Sequence, residues 1–143
     1  MHTYIAEVVK VVDGDTVDLD IDLGFGIVLK KQRARLWGIN APESRTRNKE
    51  EKVRGLAAKD RLIEILLAND NQVFFTSTKK GKYGRYLSII YVKEIPGSKI
   101  EMIEKMKEKG KQFVMNDDII DVWDVNEQLV IEDHAVRYFG GKR

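Results

Sequence analysis

No cysteine occurs in this chain, so disulfide bonds and thiolate metal centres are excluded outright. Histidine is almost as scarce. His2 and His134 stand far apart and isolated, which argues against a zinc site or histidine-based catalysis. No apolar run approaches the roughly 20 residues that a membrane-spanning helix requires, so no membrane partner is expected. The opening Met1-His2-Thr3-Tyr4-Ile5-Ala6-Glu7 has neither a basic leader nor a long apolar segment, and no signal peptide is expected from it. No internal repeat is visible. A net charge of only +2 says little about partners taken as a total.

The distribution of charge says more. Between Lys30 and Arg61 there are eleven Lys and Arg against four Asp and Glu, a local balance of +7, whereas Asp117 to Asp133 carries seven acidic residues and no basic one. A local basic stretch can follow a phosphate backbone even in a nearly neutral protein. A solvated helix face with edge-strand lysines would account for part of it without any partner. With 143 residues, 43% of them apolar and 34% charged, the chain has the size and composition of one domain over residues 1–143.

Thr3 to Val12 is rich in β-branched residues and predicts a strand. Asp15 to Leu23 alternates Val17, Leu19, Ile21 and Leu23 with acidic neighbours, a period of two. Asp13-Gly14 and Gly24-Phe25-Gly26 mark turns, and Ile27 to Trp37 predicts a third strand. Asn48 with Glu51 three residues on is a helix-capping pair. Val53, Leu56, Ala57, Ile63, Leu66 and Leu67 then follow helical spacing, which predicts an amphipathic helix over 49–68 packed through that face. Gln72 to Thr78 and Tyr86 to Lys93 predict two more strands. Asp124 and Glu127 cap a second helix to Asp133, and His134 to Phe139 is expected to be extended. Trp37, Phe74, Phe75 and Tyr91 are expected in the core. The expected class is α+β, mainly β: a five-stranded Greek-key OB-fold barrel with two or three packed helices.

Chemistry-bearing residues gather on turns and strand ends: Asp13-Gly14-Asp15-Thr16, then Arg35, then Asn40-Ala41-Pro42-Glu43, then Lys82-Tyr83-Gly84-Arg85. Carboxylates suit a hard cation, and guanidinium presents a fixed fork of donors matching two phosphate oxygens. A further carboxylate can handle a proton, so the set meets the needs of metal-assisted phosphodiester cleavage. Each piece alone has a plainer reading. Asp13 to Thr16 would suit an ordinary strand turn, Arg35 a basic strand and Arg85 a surface turn.

Taken in order, these motifs resemble the thermonuclease family, the staphylococcal-nuclease-like domains. The likeness covers residues 5–93 and resumes at Val125-Asn126-Glu127-Gln128-Leu129-Val130. It implies calcium as cofactor, held by Asp15, the side chain of Asn40 and the backbone carbonyl of Ala41, with Asp13 orienting the site. Asn40 stands where the best-known members have Asp, so weaker calcium binding is expected. The resemblance further implies Arg35 and Arg85 on the phosphate and Glu43 as general base or positioning group. Lys82 and Tyr83 are implied as substrate contacts, and Lys49, the loop from Ser44 to Lys49 and a stacking Tyr138 are expected to join them. Two departures stand out. Residues 94–123 form an insertion, within which Ser98 and Glu101 cap an expected charged helix through Ile100, Ile103 and Met106 and which offers replacement packing. No third helix is expected after the second.

The function so implied is hydrolysis of DNA and RNA, single strands preferred, with low sequence specificity and 3′-phosphate products, by a monomer. A nuclease free in its own cytoplasm is hazardous, so a mobile-element or viral setting, or export with a leader removed, stands beside a cytoplasmic one. The cytoplasmic, mobile-element or viral setting is expected over secretion. A nucleic-acid-binding module that has lost catalysis is the alternative, favoured by Asn40. An OB domain for protein partners would leave the arginines unexplained.

Overall fold

The computed structural model describes residues 3–80, 86–97, 111–115 and 117–139. Three strands, β1 (Thr3–Asp13), β2 (Thr16–Gly24) and β3 (Ile27–Leu36), form an antiparallel meander. After the short β4 (Ile39–Asn40) comes α1 (Lys49–Leu67), then β5 (Gln72–Lys80) and β6 (Tyr86–Val92). β5 pairs with β1, and β6 returns beside β5 and also pairs in parallel with β3. That last pairing closes five strands into the expected OB barrel. The interior is built by the period-two alternation of β2: Val17, Leu19 and Ile21 point inward and are nearly inaccessible, and Leu36, Phe75 and Ile90 join them from neighbouring strands. Each fully buried aliphatic side chain of this kind contributes about 1.5–3 kcal/mol.

α1 covers one end of the barrel. Its N-terminus is capped as the sequence implies, with Asn48 Oδ1 accepting from the Glu50 and Glu51 amides at 3.1 Å. Its packed face differs from the expected one. Gly55, Ala58, Leu62, Ile65 and Leu66 are buried, whereas Val53, Leu56 and Leu67 are exposed. The helix is rotated because Gly55 abuts the backbone of Glu43 and Ser44, a contact that only a residue without a side chain allows. The close approach of Gly55 and the burial of Leu62, Ile65 and Leu66 lie on one face, and of the expected face Leu66 is kept.

β6 has two different neighbours along one edge: β3 at Tyr86 to Ser88, and β8 (Asp118–Asp124) at Tyr91 and Val92. β8 forms an antiparallel hairpin with β7 (Lys111–Met115), so the described part of the insertion contributes a hairpin that the sequence did not suggest. The helix expected from Ser98 to Met106 lies outside the described residues. The hairpin folds over the outer face of the sheet and creates a second small core, in which Phe74, Tyr91 and Val122 are buried with Ile89, Phe113 and Ile120 around them. Phe113 stands edge-on to Tyr91, with centroids 5.1 Å apart. Phe74, Phe75 and Tyr91 are therefore core residues, as expected. Trp37 is not: it lies just past β3, 42% exposed, with Phe139 against its ring at 5.2 Å.

The second helix, α2 (Val125–Ile131), is capped by Asp124, which accepts from the Glu127 amide at 3.0 Å. Burial pushes the Asp124 carboxyl above its usual range, against the pull of that amide. Buried Asn126 donates to the carbonyls of Trp37 at 2.9 Å and Ser88 at 3.0 Å, tying α2 to the end of β3 and to β6. Arg61 of α1 bonds Glu132 through Nε at 2.7 Å and Nη2 at 3.0 Å. Burial works against its charge, but Glu132 and Glu64 outweigh it and hold its pKa above the usual value. β9 (Val136–Arg137) then pairs with β4, and Tyr138 donates its amide to the Gly38 carbonyl at 2.9 Å. Residues 136–139 thus form a strap across the segment that follows β3. No helix among the described residues is long and apolar enough to cross a membrane.

Candidate active site

The two-residue turn between β1 and β2 fixes the first part of the site. Asp13 pairs with Thr16, leaving Gly14 and Asp15 at the corner. A β-carbon on Gly14 would lie 2.8 Å from Cβ of Ala58 and 3.1 Å from Cβ of Ala41, so the glycine lets this turn press between α1 and the residue after β4. Asp15 is buried there. Its Oδ1 accepts from Thr16 Oγ1 at 2.9 Å, and its Oδ2 accepts from the Ala41 amide at 2.8 Å. One carboxylate therefore links the start of β2 to the segment leaving β4.

Arg35, next to last in β3, pairs with Thr16 and reaches the same place. Its Nη1 is 3.4 Å from Asp15 Oδ2 and donates to the Leu36 carbonyl at 3.1 Å, and its Nη2 donates to Asn40 Oδ1 at 3.3 Å. The guanidinium is mostly buried, so its orientation is set by several acceptors and not by solvent.

The Pro42-Glu43-Ser44 segment is held from three sides. Ser44 donates to Asp13 Oδ1 from its amide at 3.2 Å and also from its hydroxyl. The Glu43 amide donates to Glu51 Oε1 at 3.4 Å, so Glu51 serves this segment and not the cap residue of its own helix. Gly55 packs on the same peptide from behind. Glu43 itself is exposed. A clamped backbone thus presents a solvent-accessible carboxylate.

Asp13, Asp15, Thr16, Arg35, Ala41, Glu43 and Tyr138 together line an open cleft of about 300 Å3. Of the expected site residues, six converge here: Asp13, Asp15, Arg35, Ala41, Glu43 and Tyr138. Asn40 touches the cleft through Arg35, while its own surface lines a neighbouring cleft on the other side of Ala41. Lys49 is the first residue of α1 and does not line the cleft. Lys82, Tyr83 and Arg85 lie outside the described residues. The nearest described residue, Tyr86, pairs with Ala34, next to Arg35. Ser44, expected among the substrate contacts, is instead 4% exposed and spent on Asp13. Thr16 was named only as part of the turn motif and Glu51 only as a helix cap, and Gly55 was not singled out at all. Their roles are contacts with residues distant in the chain, and only the Thr16 hydroxyl beside an acidic turn was a local signal.

The basic stretch is in part internally neutralised. Arg33 pairs with Asp18 at 2.9 Å, which holds the Asp18 carboxyl below its usual range, and Lys30 pairs with Asp20 at 3.2 Å.

Among the described residues, no three of His, Cys, Asp and Glu gather as a metal-holding group. Position 40 supplies an amide oxygen and not a carboxylate. The donors still present, Asp15, Asn40 Oδ1 and the Ala41 carbonyl, are all oxygen. Asp15 Oδ1 accepts one hydrogen bond, from Thr16, and retains a lone pair, while Oδ2 also faces Arg35, so the set fits a hard cation with waters completing the shell, at reduced negative charge.

The model of the staphylococcal nuclease homologue family matches residues 33–135. A micrococcal nuclease of Shigella flexneri is 31% identical over 99 residues, which is 67% of this chain and 48% of that protein. The chain thus spans about half of that relative's length. Asp13 and Asp15 lie upstream of the family match, while Arg35, Asn40 to Glu43 and α2 lie within it. With the match covering well over half of the residues, the chain belongs to the staphylococcal nuclease homologue family.

Proposed function

We propose that this protein is a calcium-dependent endonuclease that hydrolyses phosphodiester bonds of DNA and RNA with little sequence preference, leaving 3′-phosphate ends. The observation that carries this reading is the opening of Asp15, Arg35 and Glu43 onto one cleft. Asp15, Asn40 Oδ1 and the Ala41 carbonyl would hold the ion, which when bound supplies positive charge against a phosphoryl oxygen. Arg35 binds the phosphate through its fork, and Arg85, assigned by motif, completes the grip. Preorganised donors count most in the transition state, where charge on the transferred group grows. Glu43 takes a proton from the attacking water or orients it, from a backbone clamped by Glu51, Ser44 and Gly55. Asp13 positions the Glu43 segment through Ser44. Tyr138 offers a stacking face that any base can use, which suits low specificity and single strands, while Lys82, Tyr83 and Lys49 contact the substrate.

We take residues 1–143 as a single monomeric domain with an insertion at 94–123, working in the cytoplasm or in a mobile-element or viral setting. Digestion of labelled single-stranded DNA with calcium or with chelator tests the reading. Cleavage is expected only with the ion, and Glu43→Gln and Arg35→Ala each lower it on the order of 10²–10³-fold. No cleavage at millimolar calcium overturns it. The amide at position 40 favours one competing reading, a nucleic-acid-binding module without turnover. That reading requires binding that survives chelation while cleavage is absent.

A further inference from the structure

A second cleft, about 600 Å3 in volume, lies on the other side of Ala41 from the first, between α1 and the strap. Ala41 lines both, so a strand whose scissile phosphate sits at Arg35 has only the Ala41–Pro42 rim to cross. We propose that this second cleft receives the base of a nucleotide flanking the scissile phosphate, a reading that rests on the nuclease assignment above.

The lining argues for a base and against a phosphate. Arg54 is opposed by Glu51 and Asp133, so no net positive charge is offered to an anion. Pro42, Ala57 and Val136 supply apolar surface, and Val136 is 64% exposed although it sits on a paired strand. Among the described residues, no hydrogen bond or ion pair takes up the Arg54 guanidinium or the His134 ring. Both are flat groups on which a base stacks. Arg54 donates and Asp133 accepts, which gives hydrogen-bonding partners to base edges of either kind.

The backbone of the strap side is fixed. Asp133 turns the chain in the left-handed region at φ 60°, and the His134 amide donates to the Leu129 carbonyl at 2.8 Å. β9 fixes Val136 opposite Asn40. A preformed pocket loses little on binding, which makes stacking there effective.

The test uses an oligonucleotide with one cleavable diester, its other linkages nuclease-resistant phosphorothioates, and an abasic residue moved along the flanking positions. For the unmodified protein, one flanking position is expected to raise KM about tenfold when abasic, the size of one stacked base. Arg54→Ala and His134→Ala raise KM similarly on the intact strand but add little on the strand abasic at that position. Equal losses on both strands, or indifference of the unmodified protein to every abasic position, overturn the proposal. Should no strand be cut, the nuclease reading fails separately. The same series read by fluorescence anisotropy on a fully phosphorothioate strand then decides whether the cleft takes a base.

Discussion

Gly55 lies so close to Glu43 that a β-carbon on it would stand 2.3 Å from the Glu43 carbonyl oxygen and 2.4 Å from the carbonyl carbon. Backbone cannot yield as a side-chain tip can. Gly55→Ala is therefore expected to destabilise by about 1–2 kcal/mol, overpacking outweighing the roughly 1 kcal/mol of helix propensity that alanine offers. Displacing Glu43 should lower nuclease activity by roughly 10–100-fold. Thermal melting and initial rates check both. A stabilised and fully active variant would mean that propensity governs the position.

Asn40→Asp restores a carboxylate beside Asp15 and Arg35. Calcium affinity is expected to rise on the order of tenfold, since affinity follows ligand charge. Titration calorimetry measures this directly. An unchanged affinity would remove position 40 from the ligand set.

Phe113→Ala empties part of the second core, where the ring meets Phe74 at 5.7 Å and Tyr91 at 5.1 Å. A loss of about 2 kcal/mol is expected, below the 3–5 typical of a fully buried ring because this one is only partly covered. The proposed nuclease activity at low temperature should hold, as the hairpin shares no residue with the cleft of Asp15, Arg35 and Glu43. Denaturant unfolding and rate assays on one sample separate the two effects.

Asp124 gives a pH-dependent contrast. Its raised pKa means that ionisation is less favourable in the folded than in the unfolded chain. That cost is absent below the usual value of 3.8, where both states are protonated, and sets in as pH rises through it. Asp124→Asn keeps the capping oxygen and sheds the charge. Its stability relative to the parent should rise from acid to neutral pH, and Asp124→Ala, which sheds the same charge, should follow the same trend about 1 kcal/mol lower for want of the cap. Melting curves at several pH values compare them.

The barrel strands and both helix caps were legible because each is encoded within a few residues: alternation in β2, Asn48 ahead of α1, Asp124 ahead of α2. The packed face of α1 was not, since the decisive residue, Gly55, is chosen for a partner far along the chain and has no hydrophobicity to read. Trp37 misled for a related reason: a large aromatic at a strand end is capped by Phe139, a pairing that exists only after folding. Within the site, Asp15, Arg35 and Glu43 stood out through their motifs. The parts played by Thr16, Ser44 and Glu51 did not, because these residues hold other side chains or backbone, and polar residues of that kind are common on any surface. The hairpin of the insertion alternates weakly and is flanked by charge, so its apolar face shows only when Phe74 and Tyr91 are seen to need covering.

The pairing of Ile39 and Asn40 with Val136 and Arg137 also orders events in time. During synthesis the first carboxylates and Arg35 leave the ribosome long before the strand that braces them. Until residues 136–138 emerge, β4 lacks its partner and Tyr138 is missing from the wall of the cleft. A growing polypeptide therefore carries an unfinished site beside the very transcript that encodes it.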